Sequence, residues 1–171
     1  MKSRIYVFLL SAASCAGCNN SIEATKTTGR NGEIIYRSGA ARRTAWQLPD
    51  GTELLMDSFS VVRLPAGFNQ RNRDIFLAGS VSFTVHSSGI KPVIVHTRAL
   101  IITVPDSSAA SFTIDGRPKS PGEEVDLLKG KLKVAKSYHS DTDNEPVTLR
   151  AGEMVMINTD IDLMEKEKMD K

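Results

Sequence analysis

Three histidines, two cysteines and a few clusters of acidic residues are where this chain could do chemistry, and their spacing limits what that chemistry is. His86, His96 and His139 contain no two-histidine spacing with a third ligand, such as the His-Glu-x-x-His arrangement that holds zinc on one helix face. His86 and His96 on one face of neighbouring strands are the remaining way to share a metal; the simpler reading is ordinary surface imidazoles. Ser140-Asp141-Thr142-Asp143-Asn144-Glu145 offers oxygens to calcium. It lacks the glycine and the terminal glutamate spacing of a calcium loop, and reads as a solvated hairpin tip. Asp115, Glu123 and Glu124 are the carboxylates available for paired acid and base work on a glycoside. Beside Gly116 and Gly122 they read as loop acids that keep a turn soluble. No Gly-x-Ser-x-Gly nucleophile elbow occurs. The expectation is a protein that is not an enzyme and takes no metal or cofactor.

Composition narrows the partners. The chain has 171 residues, 40 % hydrophobic and 25 % charged, within the range of ordinary globular proteins. Its formal net charge of +2 is too small for a nucleic-acid groove, and 6 % aromatic residues leave few rings for stacking on bases. Nucleic acid is therefore excluded as an expected partner. Arg71 and Arg73 with Lys91 form a candidate partner-binding patch, against the simpler reading that they cover strand ends. Trp46, the single tryptophan, reads as core.

The first 17 residues combine a cationic start (Lys2, Arg4), a short apolar run from Ile5 to Leu10 and small residues before a boundary, the three parts of a secretory signal peptide. The run is about half the 20 apolar residues that a membrane-spanning helix needs. Cys15 and Cys18 are the only cysteines, and a bridge between them would close too small a loop to constrain the unfolded chain. Ala16-Gly17-Cys18 resembles the end of a bacterial lipobox, whose cysteine sulfur receives diacylglycerol; Ala13-Ser14-Cys15 is a second acceptable match. Cys18 is the favoured lipid acceptor and Cys15 the alternative; a plain secreted protein is the third reading. Processing at Cys18 removes Lys2 and Arg4 and takes the formal charge from +2 to 0. Two or three acyl chains would anchor the product to a bilayer, at about 0.8 kcal/mol per buried CH₂. Neither Ala16 nor Asn19 is the aspartate of the inner-membrane retention rule, so the resemblance implies a periplasm-facing lipoprotein of the outer membrane.

Behind the signal, 18–41 is rich in Ser, Thr, Gly and Arg and reads as a flexible linker, with Ile34-Ile35-Tyr36 as a candidate edge strand. The segment 159–171 is mostly charged and reads as a solvated tail holding the only plausible helix. Between them, 42–158 is a series of short alternating segments. Pro49-Asp50-Gly51 between Thr44–Leu48 and Thr52–Met56 predicts a β-hairpin. Ile75, Leu77, Gly79, Val81, Phe83 and Val85 keep one parity, as a half-buried strand does. Val93–Thr97 and Ala99–Val104, bounded by Pro92 and Pro105, predict central strands. Gly79, Gly130 and Gly152 each follow an apolar segment and precede an alternating one, where the chain can bend between strands. The fold expected is all-β and a single domain: an antiparallel sandwich, or a short β-roll or solenoid-like stack of strands.

Five segments resemble, in order, the extracytoplasmic domain of the FecR family. They are Arg43-Thr44-Ala45-Trp46-Gln47-Leu48-Pro49-Asp50-Gly51-Thr52, Arg73-Asp74-Ile75-Phe76-Leu77-Ala78-Gly79-Ser80-Val81-Ser82-Phe83-Thr84-Val85, Lys91-Pro92-Val93-Ile94-Val95-His96-Thr97, Val125-Asp126-Leu127-Leu128-Lys129-Gly130-Lys131-Leu132-Lys133-Val134 and Leu149-Arg150-Ala151-Gly152-Glu153. The family's Gly-Thr-x-Phe-x-Val segment appears here as Ala109-Ala110-Ser111-Phe112-Thr113-Ile114. Full-length FecR-type regulators carry a cytoplasmic sigma-binding region and a spanning helix ahead of this domain, where this chain has a lipoprotein-like signal. The resemblance implies a protein-binding domain facing another envelope protein, a TonB-dependent transporter's signalling domain or a membrane-spanning regulator, without the cytoplasmic anti-sigma part. The alternative is a structural lipoprotein that binds cell wall or polysaccharide.

Overall fold

The computed structural model describes residues 23–40, 43–70, 72–86, 91–105 and 108–169; the signal segment, Cys15, Cys18 and Arg71 lie outside them. Every regular element among the described residues is a strand, as the parity of the sequence requires. Strand pairs alternate between two sheets. The first sheet holds β1 (Thr25–Thr28), β2 (Ile34–Arg37), β5 (Val61–Leu64), β7 (Val93–His96), β8 (Leu100–Val104), β11 (Lys131–Lys136) and β12 (Val147–Arg150). The second holds β3 (Thr44–Gln47), β4 (Glu53–Met56), β9 (Ala110–Gly116), β10 (Gly122–Lys129), β13 (Glu153–Asn158) and β14 (Leu163–Lys168). The twelve-residue β6 (Asp74–Val85) belongs to both: its first half pairs with β5 and β7, its second half with β4 and β9. All fourteen strands thereby join one hydrogen-bonded network.

The all-β expectation holds, with one departure from a purely antiparallel arrangement: β6 and β7 run parallel. Inward residues of the two sheets share one core. Ile75, Leu77, Val81, Phe83 and Val85 of β6 are buried as their parity predicts, and Phe83 stacks on Phe112 directly opposite on β9, centroids 5.0 Å apart. Val95, Leu100 and Ile102 from the first sheet and Val125, Leu127 and Val155 from the second complete the same cluster. Fully burying such a side chain contributes about 1.5–3 kcal/mol.

The crossing inside β6 needs a glycine. Gly79 has φ of 116°, and a Cβ there would lie 2.7 Å from the Cα of Ser60. The bend frees backbone groups, and the side chains of two buried serines, Ser38 and Ser60, occupy them. Ser60 Oγ donates to the Ser80 carbonyl (2.9 Å) and accepts from the Ser80 amide (3.0 Å), while the Ser60 amide donates to Ser38 Oγ (2.8 Å). Burying unpaired amides would cost more than these bonds contribute, so the serines are what permits the bend. Gly130 and Gly152 also have positive φ and mark the passages from β10 to β11 and from β12 to β13, each between sheets.

Two readings of the ends change. In the stretch read as linker, the candidate strand Ile34-Ile35-Tyr36 forms as β2, but between β1 and β5 and not at an edge, and Tyr36 is fully buried and edge-on to Trp46 at 5.2 Å. The stretch read as tail and possible helix contributes β14, which pairs with β13 along six residues. Its local pattern is almost featureless because only Met164 packs on the core, so the strand is specified by its neighbour's free edge.

Candidate functional site

Turn chemistry builds the first polar cluster. In the β3–β4 turn the Asp50 carboxylate accepts from the Thr52 amide (3.0 Å) and hydroxyl (2.9 Å). Arg73, just ahead of β6, places Nη2 at 2.6 Å and Nε at 2.8 Å from the same carboxylate, and its Nη1 donates to the Lys91 carbonyl (3.3 Å). Both side chains are buried, Asp50 to 2 % exposure. Of the candidate patch, Arg73 is not available to a partner, being an internal tie between the sheets; Lys91 Nζ donates to the Gln70 carbonyl, and Arg71 is outside the described residues. Trp46 is half-buried and packs on the core, as expected.

The acids read as loop residues are on strands. Glu123 of β10 is buried and accepts from the Ala99 amide (3.2 Å) and the Thr97 hydroxyl, pinning β10 to the β7–β8 turn, with Arg98 Nε at 3.8 Å. Its inward parity separates it from Glu124, which faces outward opposite Asp115. Burial pushes the carboxyls of Glu124 and Asp126 above their ordinary values, and the charge of Asp115 adds to both. Glu123 is thereby removed from the other two acids, which share the outward face.

Ser140–Glu145 is also more than a solvated tip. Ser140 is buried; its Oγ donates to Asp162 Oδ2 (2.6 Å) and accepts from Lys136 Nζ (2.8 Å). Lys136, pointing inward from β11, also reaches Asp162 Oδ1 at 2.9 Å, and the Tyr138 hydroxyl donates to the same oxygen at 2.8 Å. Asp162 sits in the β13–β14 turn at φ 51°. The Ser140 hydroxyl first, then Lys136 and Tyr138, hold its carboxyl well below the usual carboxylate range. This cluster ties β11 of the first sheet to the end of the second, and its oxygens are spent on protein donors. The sequence signal that was passed over is an apolar-parity lysine, Lys136 in Leu132-Lys133-Val134-Ala135-Lys136.

The histidines do not meet. His96 is in register with Phe76 at the start of β6, and His86 follows its end, so ten residues of strand separate the two, on the order of 30 Å. His86 Nε2 lies 3.3 Å from Glu53, and His139 is exposed. Among the described residues no group of three or more metal-binding side chains converges. What His96 joins is a surface of another kind. Its ring stacks on Phe76 at 4.8 Å and lies 3.0 Å from Asp74 Oδ1; the Arg63 guanidinium covers Phe76, 4.1 Å from the ring centroid. Ile35, Arg37, Val61 and Arg98 border this shallow groove of about 350 Å³. Exposed arginine around a half-buried ring is equipment for binding a surface.

Two crystal structures share the fold, both of candidate anti-sigma factors from Parabacteroides distasonis ATCC 8503. One, at 2.50 Å, has a TM-score of 0.70 and 22 % identity over 81 % of this chain and 61 % of its own. The other, at 1.65 Å, has a TM-score of 0.65 and 24 % identity over 77 % and 59 %. This chain thus spans about three fifths of the length of those proteins. No curated protein is matched by the sequence. The model of the FecR protein family matches residues 34–133, from β2 into β11, more than half of the chain and most of the region in which the five motifs lie. The chain belongs to the FecR family.

Proposed function

We propose that this protein is a lipid-anchored envelope component, acylated at Cys18 or else Cys15, that presents its FecR domain as a protein-binding module in signalling across the envelope. Family membership over residues 34–133 carries the reading. The chemistry of the surface supports it: the buried ion pairs tie the two sheets together, and the outward faces carry arginine, aromatic and carboxylate groups suited to recognition. Among the sheet edges, β3 is the one whose strand residues, Thr44 to Gln47, carry no charge, so it is the edge best suited to accept an extended segment of a partner. The partner class is another envelope protein, a TonB-dependent transporter's signalling domain or a membrane-spanning regulator, and the outer membrane is the proposed location.

In-cell crosslinking of the tagged full chain tests this, with a Cys15→Ala/Cys18→Ala variant as the untethered control. Recovery of a transporter signalling domain or a membrane-spanning regulator, lost or reduced in the control, is expected. Recovery of peptidoglycan fragments alone would replace the signalling reading with the structural one. Membrane association that survives loss of both cysteines would remove the lipid anchor from the proposal.

A further inference from the structure

The two outward faces carry opposite charge. Cross-strand register fixes which residues share each face, because directly opposed residues point the same way. On the first sheet, Ile35 opposes Arg63, Arg63 opposes Phe76, and Phe76 is level with His96; Arg37 lies in the neighbouring row opposite Val61. Farther along the same face, Lys133 opposes Thr103 and Lys131 opposes Arg150. The acids of this face are already engaged: Glu33 with Arg63 at 3.2 Å and Asp74 with His96 at 3.0 Å. Arginine and lysine thus surround an apolar floor of Ile35, Val61, Phe76 and Ile101, each half-buried.

On the second sheet the rows read differently. Asp115 opposes Glu124, which opposes Met156, which opposes Glu165; in the next row Thr113 opposes Asp126, then Met154, then Glu167. Arg117, 3.0 Å from Asp115, and Lys129 at the end of β10 stand at the margin of these rows. The carboxylates run in files with methionines between them, and burial together with the charge of Asp115 already disfavours ionisation of Glu124 and Asp126. A cationic surface laid on this face would relieve that repulsion and cover the methionines. The chain carries such a surface on its other sheet.

We propose that this protein associates with a second copy of itself head to tail, the basic outward face of the first sheet in one copy lying on the acidic outward face of the second sheet in the next. The contact is heterologous, so each copy in the association keeps one face free and the chain can extend beyond a pair. Sheet faces stack about 10 Å apart, close enough for arginine and lysine heads to reach opposing carboxylates while the apolar floors meet. Exposed ion pairs of this kind direct orientation and weaken with salt.

The test uses two differently tagged copies of the full chain, co-expressed, solubilised in mild detergent and purified on one tag while the second tag is measured. One variant neutralises the acidic face (Glu124→Gln/Asp126→Asn), the other the basic face (Arg37→Gln/Lys133→Gln); all four side chains lie on the outward faces. Each variant paired with itself should recover about tenfold less of the second tag than wild type at low salt. The two variants paired with each other should recover it again, because one retains the basic face and the other the acidic one. A control pair off both faces, Lys119→Gln and Asp141→Asn, should match wild type. The proposal is overturned if wild type recovers no second tag at low salt, if the face variants recover as much as wild type, or if the mixed pair fails while each protein remains folded by circular dichroism. Recovery that is unchanged in 0.5 M salt, where screening falls to about 4 Å, would show that micelle sharing or an apolar contact holds the copies together, and would overturn it as well.

Discussion

The start of β6 and the end of β13 are both held by a buried cation against a carboxylate, yet the two arrangements differ in what hangs on them. Arg73–Asp50 sits where the chain's one shared strand begins, with Asp50 almost wholly buried and bonded to its own turn as well. Lys136–Asp162 sits at the rim, with Asp162 27 % exposed, and on the second-sheet side it holds a turn leading to an edge strand with one neighbour. The same pairing of charges therefore guards the whole fold at one site and a single strand at the other. A buried charge left alone is costly in proportion to how completely water is kept from it. Water can reach Asp162 and cannot reach Arg73 or Asp50.

The largest effect is expected at the first pin. Asp50→Ala strands the Arg73 guanidinium inside the protein and should lower unfolding free energy by about 3–5 kcal/mol, measured by urea denaturation. An effect under about 1 kcal/mol would mean that Arg73 escapes to solvent and that the two pins are equivalent. Gly79→Ala should follow, at about 3 kcal/mol, from left-handed strain and from a Cβ driven against Ser60, whose own bonds to Ser80 and Ser38 hold it in place. The same substitution at Gly152 meets nothing within 4 Å and should cost only the strain, about 1 kcal/mol. Equal losses at the two glycines would show that the central crossing is no tighter than the peripheral one.

That contrast also explains what could be read from the sequence. The core strands declare themselves because inward and outward positions alternate over many residues, as from Ile75 to Val85, and the β3–β4 turn because Pro49-Asp50-Gly51 has few other uses. The positions of Gly79, Gly130 and Gly152 show that the chain bends; that each bend passes between two sheets depends on which strands it pairs with, and pairing is non-local. Strands β1 and β14 were illegible for the same reason: Thr25–Thr28 is wholly exposed, and in Leu163–Lys168 the ladder to β13 outweighs a polar composition. Charge alone does not mark a surface residue in this chain. Arg73, Glu123 and Lys136 are all buried, and each has a principal partner 23 to 26 residues away in sequence, a distance at which no local pattern records it. The outward Arg63–Phe76–His96 stack was missed because its three members lie on three strands.

At the second pin, Lys136→Met should cost about 1–2 kcal/mol, less than Asp50→Ala, because the methionine fills the apolar part of the site and Asp162 keeps Ser140, Tyr138 and some water. Hydrogen exchange separates the two sites more sharply than global stability does. Amides of β14 should exchange faster in Lys136→Met while those of β6 and β9 keep wild-type protection; in Asp50→Ala protection should fall in all three strands together.

Acid provides the finest division. The carboxyl of Asp162 is held below its ordinary value in the folded protein, so the folded state binds its proton less readily than the unfolded state does. Its contribution to stability is then fully present above the unfolded value, about pH 4, and is lost as pH falls through the lower folded value. Asp162→Asn keeps the size of the side chain and removes that dependence. Wild type and variant should therefore differ by a constant amount from pH 7 to about pH 5, and the gap should narrow steadily below pH 4. Because the turn leads only to the edge strand, the wild-type β14 amides should lose protection over the same acid range while those of β9 still exchange slowly. Loss of β14 and β9 protection at one pH would place the rim pin in the same cooperative unit as the central one, and the distinction between them would go.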